Sequence, residues 1–242
     1  MLAVGAATKG GPAVLRTVLL QDLVGKGATA DPRVPLLIRG EAGVGKDTLA
    51  RLIHAASARN LYPFIKVNCV LEAADRCEAD LFGLERGTSP LGVRRRIGSF
   101  EFANHGTIYL DRLETLPRAL VPRLLQVLRM GEVPRTGTGE ITRVDVRVIA
   151  STVERAALGS DGLCQEFLRL GAIEISIPPL RQRRDEIPAF VSFFLEQLNC
   201  RYRRGVELCP DVITTFIAHS WPGNLRELEE AVRRLVVTGP ST

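Results

Sequence analysis

The 242-residue sequence has no apolar run long enough to span a bilayer, and it does not open with a basic, apolar and small-residue leader. These two absences predict a soluble, cytoplasmic protein without membrane contact. Cysteine is scarce, and the five residues form no C-x-x-C pair, so buried free thiols are expected rather than disulfides or zinc ligands. The three histidines are too scattered along the sequence to indicate a metal cluster.

The remaining composition is that of an ordinary globular protein. Hydrophobic residues make up 45% and charged residues 24% of the chain, and its length suits one large domain or a domain with a small lid. The net charge of +5 and the sequence pI of about 9.2 would suit a nucleotide or nucleic-acid ligand without identifying either.

The most informative stretch is residues 40–46, which read G-E-A-G-V-G-K. An apolar run at 34–38 precedes this glycine loop and a helical pattern at 48–57 follows it, which is the arrangement that binds phosphate. Backbone amides of glycine can approach an anion closely, and the helix N-terminus adds partial positive charge. The predicted phosphate-binding residues are Gly40, Glu41, Ala42, Gly43, Val44, Gly45, Lys46, Asp47 and Thr48.

Within this loop, Lys46 would reach the terminal phosphates of a nucleotide as a compact positive charge. The next residue is Asp47, where the general motif has serine or threonine, so the hydroxyl that binds magnesium would come from Thr48. The alternative is a glycine-rich turn that binds no ligand, which the flanking strand and helix patterns disfavour.

Five strand-like segments separated by helical patterns predict an α/β fold with a doubly wound parallel sheet. The predicted strands are residues 34–38, 63–68, 107–111, 144–150 and 173–177. The other predicted elements are a helix at 14–24, loops at 25–32 and 85–98, a long leucine-marked helix at 113–128 and a hairpin at 132–141.

Beyond Pro179 only helical patterns remain. We therefore expect an α/β nucleotide-binding subdomain over residues 1–179 and a helical lid subdomain over residues 180–242. Asn224, with Glu227 three residues later, is predicted to cap the last helix of the lid.

Polar residues end two of the predicted strands. Asn68 ends the second strand, at the sheet edge where α/β proteins place ligand groups. Asp111 ends the third strand, which is the natural position for a carboxylate that holds the Mg²⁺ shell in a phosphate-loop protein.

Taken together, these motifs resemble the AAA+ domain of bacterial enhancer-binding proteins, the ATPases that remodel sigma-54 RNA polymerase. The matching stretches follow the family's order and spacing: residues 40–46, 64–69, 78–83, 106–111, 124–131, 144–150, 178–187 and 221–228. The resemblance covers nearly all of the chain from residue 14, and an acidic residue after the loop lysine is usual in that family.

The resemblance implies a cofactor and a set of partners. ATP or ADP would bind with Mg²⁺, and the partner would be a second copy or a related AAA+ subunit, with RNA polymerase as a further candidate. DNA binding is not evident, because we find no helix-turn-helix after Val237 and no receiver or sensor domain before residue 14.

Position by position, the resemblance also implies roles for single residues. Asp111 and Thr48 would bind the magnesium shell, and Asn68 would restrain the catalytic glutamate. Arg226 would sense nucleotide from the lid, and Arg169 would reach the γ-phosphate held by a neighbouring subunit. The alternatives are a strand-end cap for Asn68 and a surface charge for Arg226.

The chain departs from the family where hydrolysis takes place. Arg112 follows Asp111 in place of the glutamate that polarises water, and an arginine stays protonated and cannot act as a base. Glu114 is close in sequence but should point elsewhere. Val153 replaces an expected asparagine and Leu163 replaces the first interface arginine, so weak or absent hydrolysis is predicted.

A second departure concerns the loop that family members insert against sigma-54. The aromatic position is Ser89 and the threonine position is Pro90, so no sigma-54 contact is expected. The adjacent arginines at residues 94–96 form either a solvated face or an anion-binding patch.

Three functions therefore stay open. The first is a transcription regulator that binds ATP or ADP with little or no hydrolysis. The second is a working AAA+ ATPase that activates sigma-54 transcription. The third is an interaction or ligand-sensing module with a vestigial nucleotide site, acting through sigma-70 polymerase or another partner.

Overall fold

The computed structural model describes residues 17–70, 74–84, 96–134, 140–153 and 162–238. The chain divides into two compact units. The first, the sheet unit, contains Leu23–Arg39 and Lys46–Ser176; the second, the lid unit, contains residues 17–22 and 177–238 together with Gly40–Gly45. Most of the predicted loop at 85–98, with Ser89, Pro90 and the first two arginines of 94–96, lies outside the described residues.

The sheet unit is built on a five-stranded parallel sheet, as the sequence predicts. Its strands are β1 (Leu36–Gly40), β2 (Phe64–Asn68), β3 (Thr107–Asp111), β6 (Arg147–Val153) and β7 (Ile173–Ser176), while β4 (Glu132–Pro134) and β5 (Ile141–Arg143) lie outside this sheet. Their spatial order in the sheet is β2-β3-β6-β1-β7. Strand β3 and most of β1 are buried, which matches their apolar sequences and is typical of parallel sheets covered on both faces. In the β2–β3 pairing, Asn68 lies opposite Asp111.

Among the described residues up to position 176, α-helices and a hairpin accompany the sheet. The helices are α1 (Val18–Thr29), α2 (Lys46–Ala55), α3 (Ala74–Phe82), α4 (Ser99–Phe102), α5 (Val121–Met130) and α6 (Gly162–Arg169). The predicted hairpin is confirmed by the antiparallel pair β4 (Glu132–Pro134) and β5 (Ile141–Arg143). Helix α6, which buries Cys164 and Phe167, was not predicted.

Helix α1 continues through the predicted loop at 25–32 as far as Thr29. The loop prediction rested on glycines, but Gly27 is buried in the helix because another side chain fills the space beside it. A Cβ at this position would lie 2.5 Å from Cδ1 of Ile53. The guanidinium of Arg147 also donates a hydrogen bond to the Gly27 carbonyl, so tertiary contacts override the local glycine signal.

The single long helix predicted for residues 113–128 is wrong. Two short 3₁₀ turns, Leu113–Thr115 and Arg118–Leu120, precede α5. Pro117 disfavours a helical conformation at Leu116, whose ψ of 130° is extended. Helix α5 ends at Met130, where Gly131 caps it in a left-handed conformation with φ of 64°.

In the described residues after position 176, the lid unit has the α-helices α7 (Ile187–Tyr202), α8 (Pro210–Ala218) and α9 (Asn224–Thr238). Their apolar faces form one core, whose buried members are Leu180, Ile187, Phe190, Val191, Leu198, Trp221, Leu228, Val232 and Val236. Trp221 is fixed in this core because its indole Nε1 donates to the carbonyl of Phe216 at 2.7 Å.

All five cysteines are free thiols. Cys69, Cys77 and Cys164 are buried, as expected, but the expectation is wrong for Cys200 and Cys209, which are exposed in the lid unit. In the parts of the chain that the structure describes, every helix is too short or too polar to cross a bilayer.

Candidate nucleotide site

The glycine loop has a backbone that favours glycine at three positions. Gly40, Gly43 and Gly45 have positive φ values of 155°, 80° and 104°. A Cβ at Gly43 would also lie 2.2 Å from the carbonyl oxygen of Gly223. Helix α2 begins at Lys46, directly after the loop, so the positive end of the helix dipole follows the glycines. A glycine-restricted loop that leads into a helix N-terminus fits a phosphate group.

Helix α2 presents its first three side chains at this N-terminus. Lys46 is largely buried and Thr48 is half-buried. Asp47 pairs with Arg51 at 3.2 Å and with the ammonium group of Lys66 at 3.0 Å. An acidic residue in the first turn of a helix is favourable because the helix dipole is positive there.

Asp111 lies at the carboxyl end of β3 with both carboxylate oxygens engaged. Its Oδ1 accepts hydrogen bonds from the hydroxyls of Ser151 at 2.9 Å and Tyr109 at 3.2 Å, and its Oδ2 lies 3.3 Å from Nζ of Lys66. Burial alone would raise the pKa of Asp111, but the Ser151 hydrogen bond and the Lys66 charge outweigh it and lower the pKa. The carboxylate is therefore ionised at neutral pH.

The carboxylates of Asp111 and Asp47 and the hydroxyl of Thr48 are oxygen ligands of the kind that Mg²⁺ takes in proteins, so the residues present fit the ion. Asp111, Asp47 and Thr48 supply carboxylate and hydroxyl oxygens within the sheet unit. Lys66 pairs with both carboxylates in the described structure, and it was not predicted from the sequence. Its position two residues before the predicted Asn68 was the available signal, since side chains two apart lie on the same face of a strand.

Asn68 is placed next to Asp111 by strand pairing, but its side chain makes a local contact. Its Oδ1 accepts a hydrogen bond from the backbone amide of Val70 at 3.1 Å. This contact corresponds to the strand-end cap that the sequence left as an alternative.

Arg112 follows Asp111 in a left-handed conformation, with φ of 59°, and its side chain is exposed. It precedes a 3₁₀ turn in which Glu114 is also exposed, and the hydroxyl of Thr115 donates to the Arg112 carbonyl at 2.8 Å. The position after Asp111 thus holds an exposed cation.

The other positions tied to hydrolysis lie on β6 and α6. Val153 is the last residue of β6, and Leu163 packs against the buried core of the sheet unit, as its apolar character requires. Arg169 ends α6 with its side chain 70% exposed and paired with Glu166. Arg169 is therefore on the surface of the sheet unit.

Arg226, the predicted nucleotide sensor, lies beside the glycine loop in the lid unit. Its Cβ is 3.3 Å from the position that a Cβ on Gly43 would occupy. The Arg226 side chain is exposed at the start of α9.

The predicted helix cap at Asn224 is wrong. Asn224 has φ of 54°, and its side-chain oxygen accepts from the amide of Leu180 at 2.8 Å. Its side-chain nitrogen donates to the Ala42 carbonyl at 3.0 Å and to Glu41 at 3.1 Å. The amide is used for tertiary contacts with the glycine loop, which a local capping pattern cannot reveal.

Arg181 is a second contact that the sequence analysis missed. Its guanidinium donates two hydrogen bonds to the carboxylate of Glu41, at 2.8 and 2.7 Å. The bonds from Arg181, followed by the one from Asn224, lower the pKa of Glu41. The arginines directly after the proline pair at 178–179 were the available signal.

A family model described as the sigma-54 interaction domain matches residues 17–176. The chain belongs to this family. A second model, the AAA+ ATPase lid domain, matches residues 181–242, so the predicted resemblance and the AAA+ fold with a helical lid are confirmed.

Curated members of the sigma-54 interaction family resemble the chain over most of its length. The anaerobic nitric oxide reductase transcription regulator NorR of Enterobacter sp. (strain 638) is 38% identical over 208 residues, which are 84% of this chain and 41% of NorR. The transcriptional regulatory protein ZraR of Escherichia coli (strain K12) is 38% identical over 223 residues, 90% of this chain and 51% of ZraR. The chain thus spans about half of the length of ZraR and less than half of the length of NorR.

Solved structures of a similar protein, NtrX, also match the chain over most of its length. NtrX of Brucella abortus in complex with ADP is 33% identical with a TM-score of 0.77, over 90% of this chain and 48% of NtrX. NtrX in complex with ATP is 32% identical with a TM-score of 0.77, over 95% of this chain and 53% of NtrX.

Proposed function

We propose that this chain is the nucleotide-binding domain of a transcription regulator, and that it binds ATP or ADP with Mg²⁺ but hydrolyses ATP weakly or not at all. The observation that carries the proposal is a glycine loop with Arg226 beside it, combined with Arg112 at the position of the base. The nucleotide complexes of NtrX support binding of ATP and ADP by the same fold.

Each residue would have a limited task in this proposal. The loop amides and Lys46 hold the phosphates, and Asp111 with Thr48 holds the magnesium shell. When bound, Mg²⁺ neutralises charge on the phosphate oxygens. Arg226 detects the nucleotide from the lid, and Asn68 has no glutamate to restrain.

The proposal also covers organisation and partners. The division at residues 179 and 180 separates the nucleotide-binding and lid subdomains, and the protein acts in the cytoplasm. Partners are a second copy or a related AAA+ subunit, through Arg169, and RNA polymerase. Because Ser89 and Pro90 replace the contact residues, we propose that sigma-54 itself is not engaged.

One alternative is a working ATPase that activates sigma-54 transcription, which membership of the family favours. It requires another group to position the attacking water, since Arg112 cannot accept a proton.

The first test is nucleotide binding and ATP turnover with Mg²⁺, at protein concentrations that drive assembly, with Lys46→Ala as the blank. We expect ATP and ADP to bind the wild-type chain and turnover to stay near the blank, because loss of a positioned base lowers rates by about 10²–10⁴. Turnover well above the blank would establish the ATPase alternative. A folded protein with no nucleotide affinity would instead indicate the vestigial module.

Matched variants of Arg112 test whether the missing base is the cause of the low ATP turnover. Arg112→Glu supplies a carboxylate base and should raise turnover at least about tenfold. Arg112→Gln removes the positive charge without supplying a base and should leave turnover low. An equal gain in both variants would show that the arginine charge, rather than the missing base, limits hydrolysis.

A further inference from the structure

Three consecutive carbonyl groups of the glycine loop accept hydrogen bonds from the lid unit, to which the loop itself belongs. The Ala42 carbonyl accepts from the side-chain amide of Asn224 at 3.0 Å, as described above. The Gly43 carbonyl accepts from the backbone amide of Leu225 at 3.0 Å. The Val44 carbonyl accepts from the guanidinium of Arg183 at 3.0 Å.

The two side-chain donors are fixed in place. Asn224 is fully buried, and Arg183 is 6% exposed. Arg183 is also paired with Glu186 at 3.2 Å, and its guanidinium lies 5.5 Å from the centre of the Phe190 ring. A polar group is buried at a high cost unless its hydrogen bonds are made, so both side chains are held to the loop carbonyls.

The contacts of the carbonyls determine the direction of the following amides. In a trans peptide, the carbonyl of one residue and the amide of the next point in opposite directions. The amides of Gly43, Val44 and Gly45 are therefore turned away from the lid donors. Within the described residues, none of these three amides donates a hydrogen bond to a protein group, so they are available to a ligand.

We infer that Asn224 and Arg183 are positioning residues: with the Leu225 amide, they preset the loop amides at Gly43, Val44 and Gly45 for a phosphate group. The inference rests on the proposed binding of nucleotide at this loop. A loop that is ordered before binding loses less conformational entropy when the ligand arrives, which raises affinity. Asn224 also donates a hydrogen bond to the carboxylate of Glu41, the second residue of the loop, so the same side chain holds the start of the loop as well.

The test is the Asn224→Gly variant of the full chain. Glycine adopts the left-handed conformation of this position without strain, so the variant removes the side-chain contacts and leaves the backbone free to keep its shape. We expect affinities for ATP and ADP to fall about tenfold in a calorimetric titration. We also expect faster loop exchange, measured in the nucleotide-free protein as hydrogen exchange of the Leu225 amide, which donates to the Gly43 carbonyl.

Asn199→Ala is the matched control. The Asn199 amide donates to the Val206 carbonyl at 2.8 Å and accepts from its amide at 3.1 Å, elsewhere in the same lid unit. This variant should lower the melting temperature without changing nucleotide affinity or loop exchange. The comparison separates positioning of the loop from general stability of the lid.

The outcomes distinguish this inference from the proposed function. Wild-type affinity together with wild-type loop exchange in Asn224→Gly would overturn the inference. Absence of nucleotide binding by the wild-type chain would overturn the proposed function, and slower loop exchange in the wild type than in Asn224→Gly would still support the lid contacts. If Asn224→Gly does not fold, Arg183→Lys is the second variant: it keeps the positive charge beside Glu186 but loses the forked guanidinium that also reaches the Val44 carbonyl. Faster loop exchange in this variant is expected, and wild-type loop exchange would overturn the inference.

Discussion

Lys66 shows how one side chain sets the charge balance of the candidate site. Its ammonium group pairs with Asp47 and Asp111, at 3.0 and 3.3 Å, and thereby offsets the negative charge of both carboxylates. Desolvation acts to lower the pKa of Lys66, but the hydrogen bond and charges of the two aspartates raise it. Magnesium would therefore compete with an internal cation for the Asp111 carboxylate.

The buried side chain of His54 is expected to make the stability of the protein depend on pH. Its Nδ1 lies 2.9 Å from the hydroxyl of Thr107 inside the sheet unit. Burial lowers its pKa below the ordinary value of about 6.5, the charge of Arg147 lowers it further, and a backbone hydrogen bond with Tyr62 opposes both. The unfolded chain thus binds a proton at a higher pH than the native state does.

The sign of this effect follows from proton linkage. The contribution of His54 to stability is fully present above pH 6.5 and is lost as the pH falls toward its lowered native pKa, by at most about 1.4 kcal/mol per pH unit. Urea unfolding between pH 7.5 and 5.5 should show a flatter pH dependence for His54→Gln than for the wild type.

Thr107→Val is the control for the His54 prediction. It removes the hydroxyl partner but keeps the buried imidazole, so it should lower stability at every pH and retain the wild-type slope. A His54→Gln variant with the same slope as the wild type would show that other groups cause the pH dependence.

Helix α1 carries a prediction at the scale of elements, because two of its glycines lie in different surroundings. A Cβ at Gly27 would meet Ile53 at 2.5 Å, whereas a Cβ at Gly25 would have nothing within 4 Å. Gly27→Ala should destabilise the protein by about 1–3 kcal/mol through overpacking. Gly25→Ala should stabilise it by about 0.5–1 kcal/mol, since alanine is the better helix former.

Chemical denaturation of both glycine variants checks this contrast. Adding Ile53→Val to Gly27→Ala should recover part of the loss, because it removes a methyl group from the side chain that the new Cβ meets. If both alanine variants were stabilising, the packing of α1 described here would be wrong.

The same elements show what the sequence could and could not predict. The five strands were predictable because each is a short apolar segment with its own turn signals, and the glycine loop is a contiguous motif. The end of α1 and the partners of Asn224 were not predictable from local patterns. Ile53 packs beside Gly27 of α1, and the Ala42 carbonyl accepts from Asn224, but each partner is distant in sequence. Pro117 was a local signal against a long helix, but the leucine spacing concealed it.

At the scale of the whole molecule, the chain corresponds to only part of its relatives. It covers 41% of NorR and 51% of ZraR, so the signals and promoters of those regulators do not transfer to it. What transfers is the family's domain, with a glycine loop and a surface arginine. A subunit that cannot hydrolyse its own ATP could still complete a neighbour's site.

Arg169 provides the test of such a mixed assembly. We mix this chain with a sigma-54 interaction domain that hydrolyses ATP but has lost its own interface arginines by substitution. If Arg169 reaches the neighbouring γ-phosphate, turnover of the mixture should rise at least about tenfold above that of the partner alone, because an arginine supplied in trans stabilises the transferred phosphoryl group. The gain should be partial, since Leu163 replaces the other family arginine.

Two variants decide whether this gain comes from Arg169. Arg169→Ala should abolish it, while Arg129→Ala, which changes another exposed arginine near Glu166, should not. Lys46→Ala should also retain the gain if the neighbour's nucleotide is the one hydrolysed. Loss of turnover in the Arg129 variant as well would indicate that surface charge around Glu166, rather than a specific arginine contact, supports assembly.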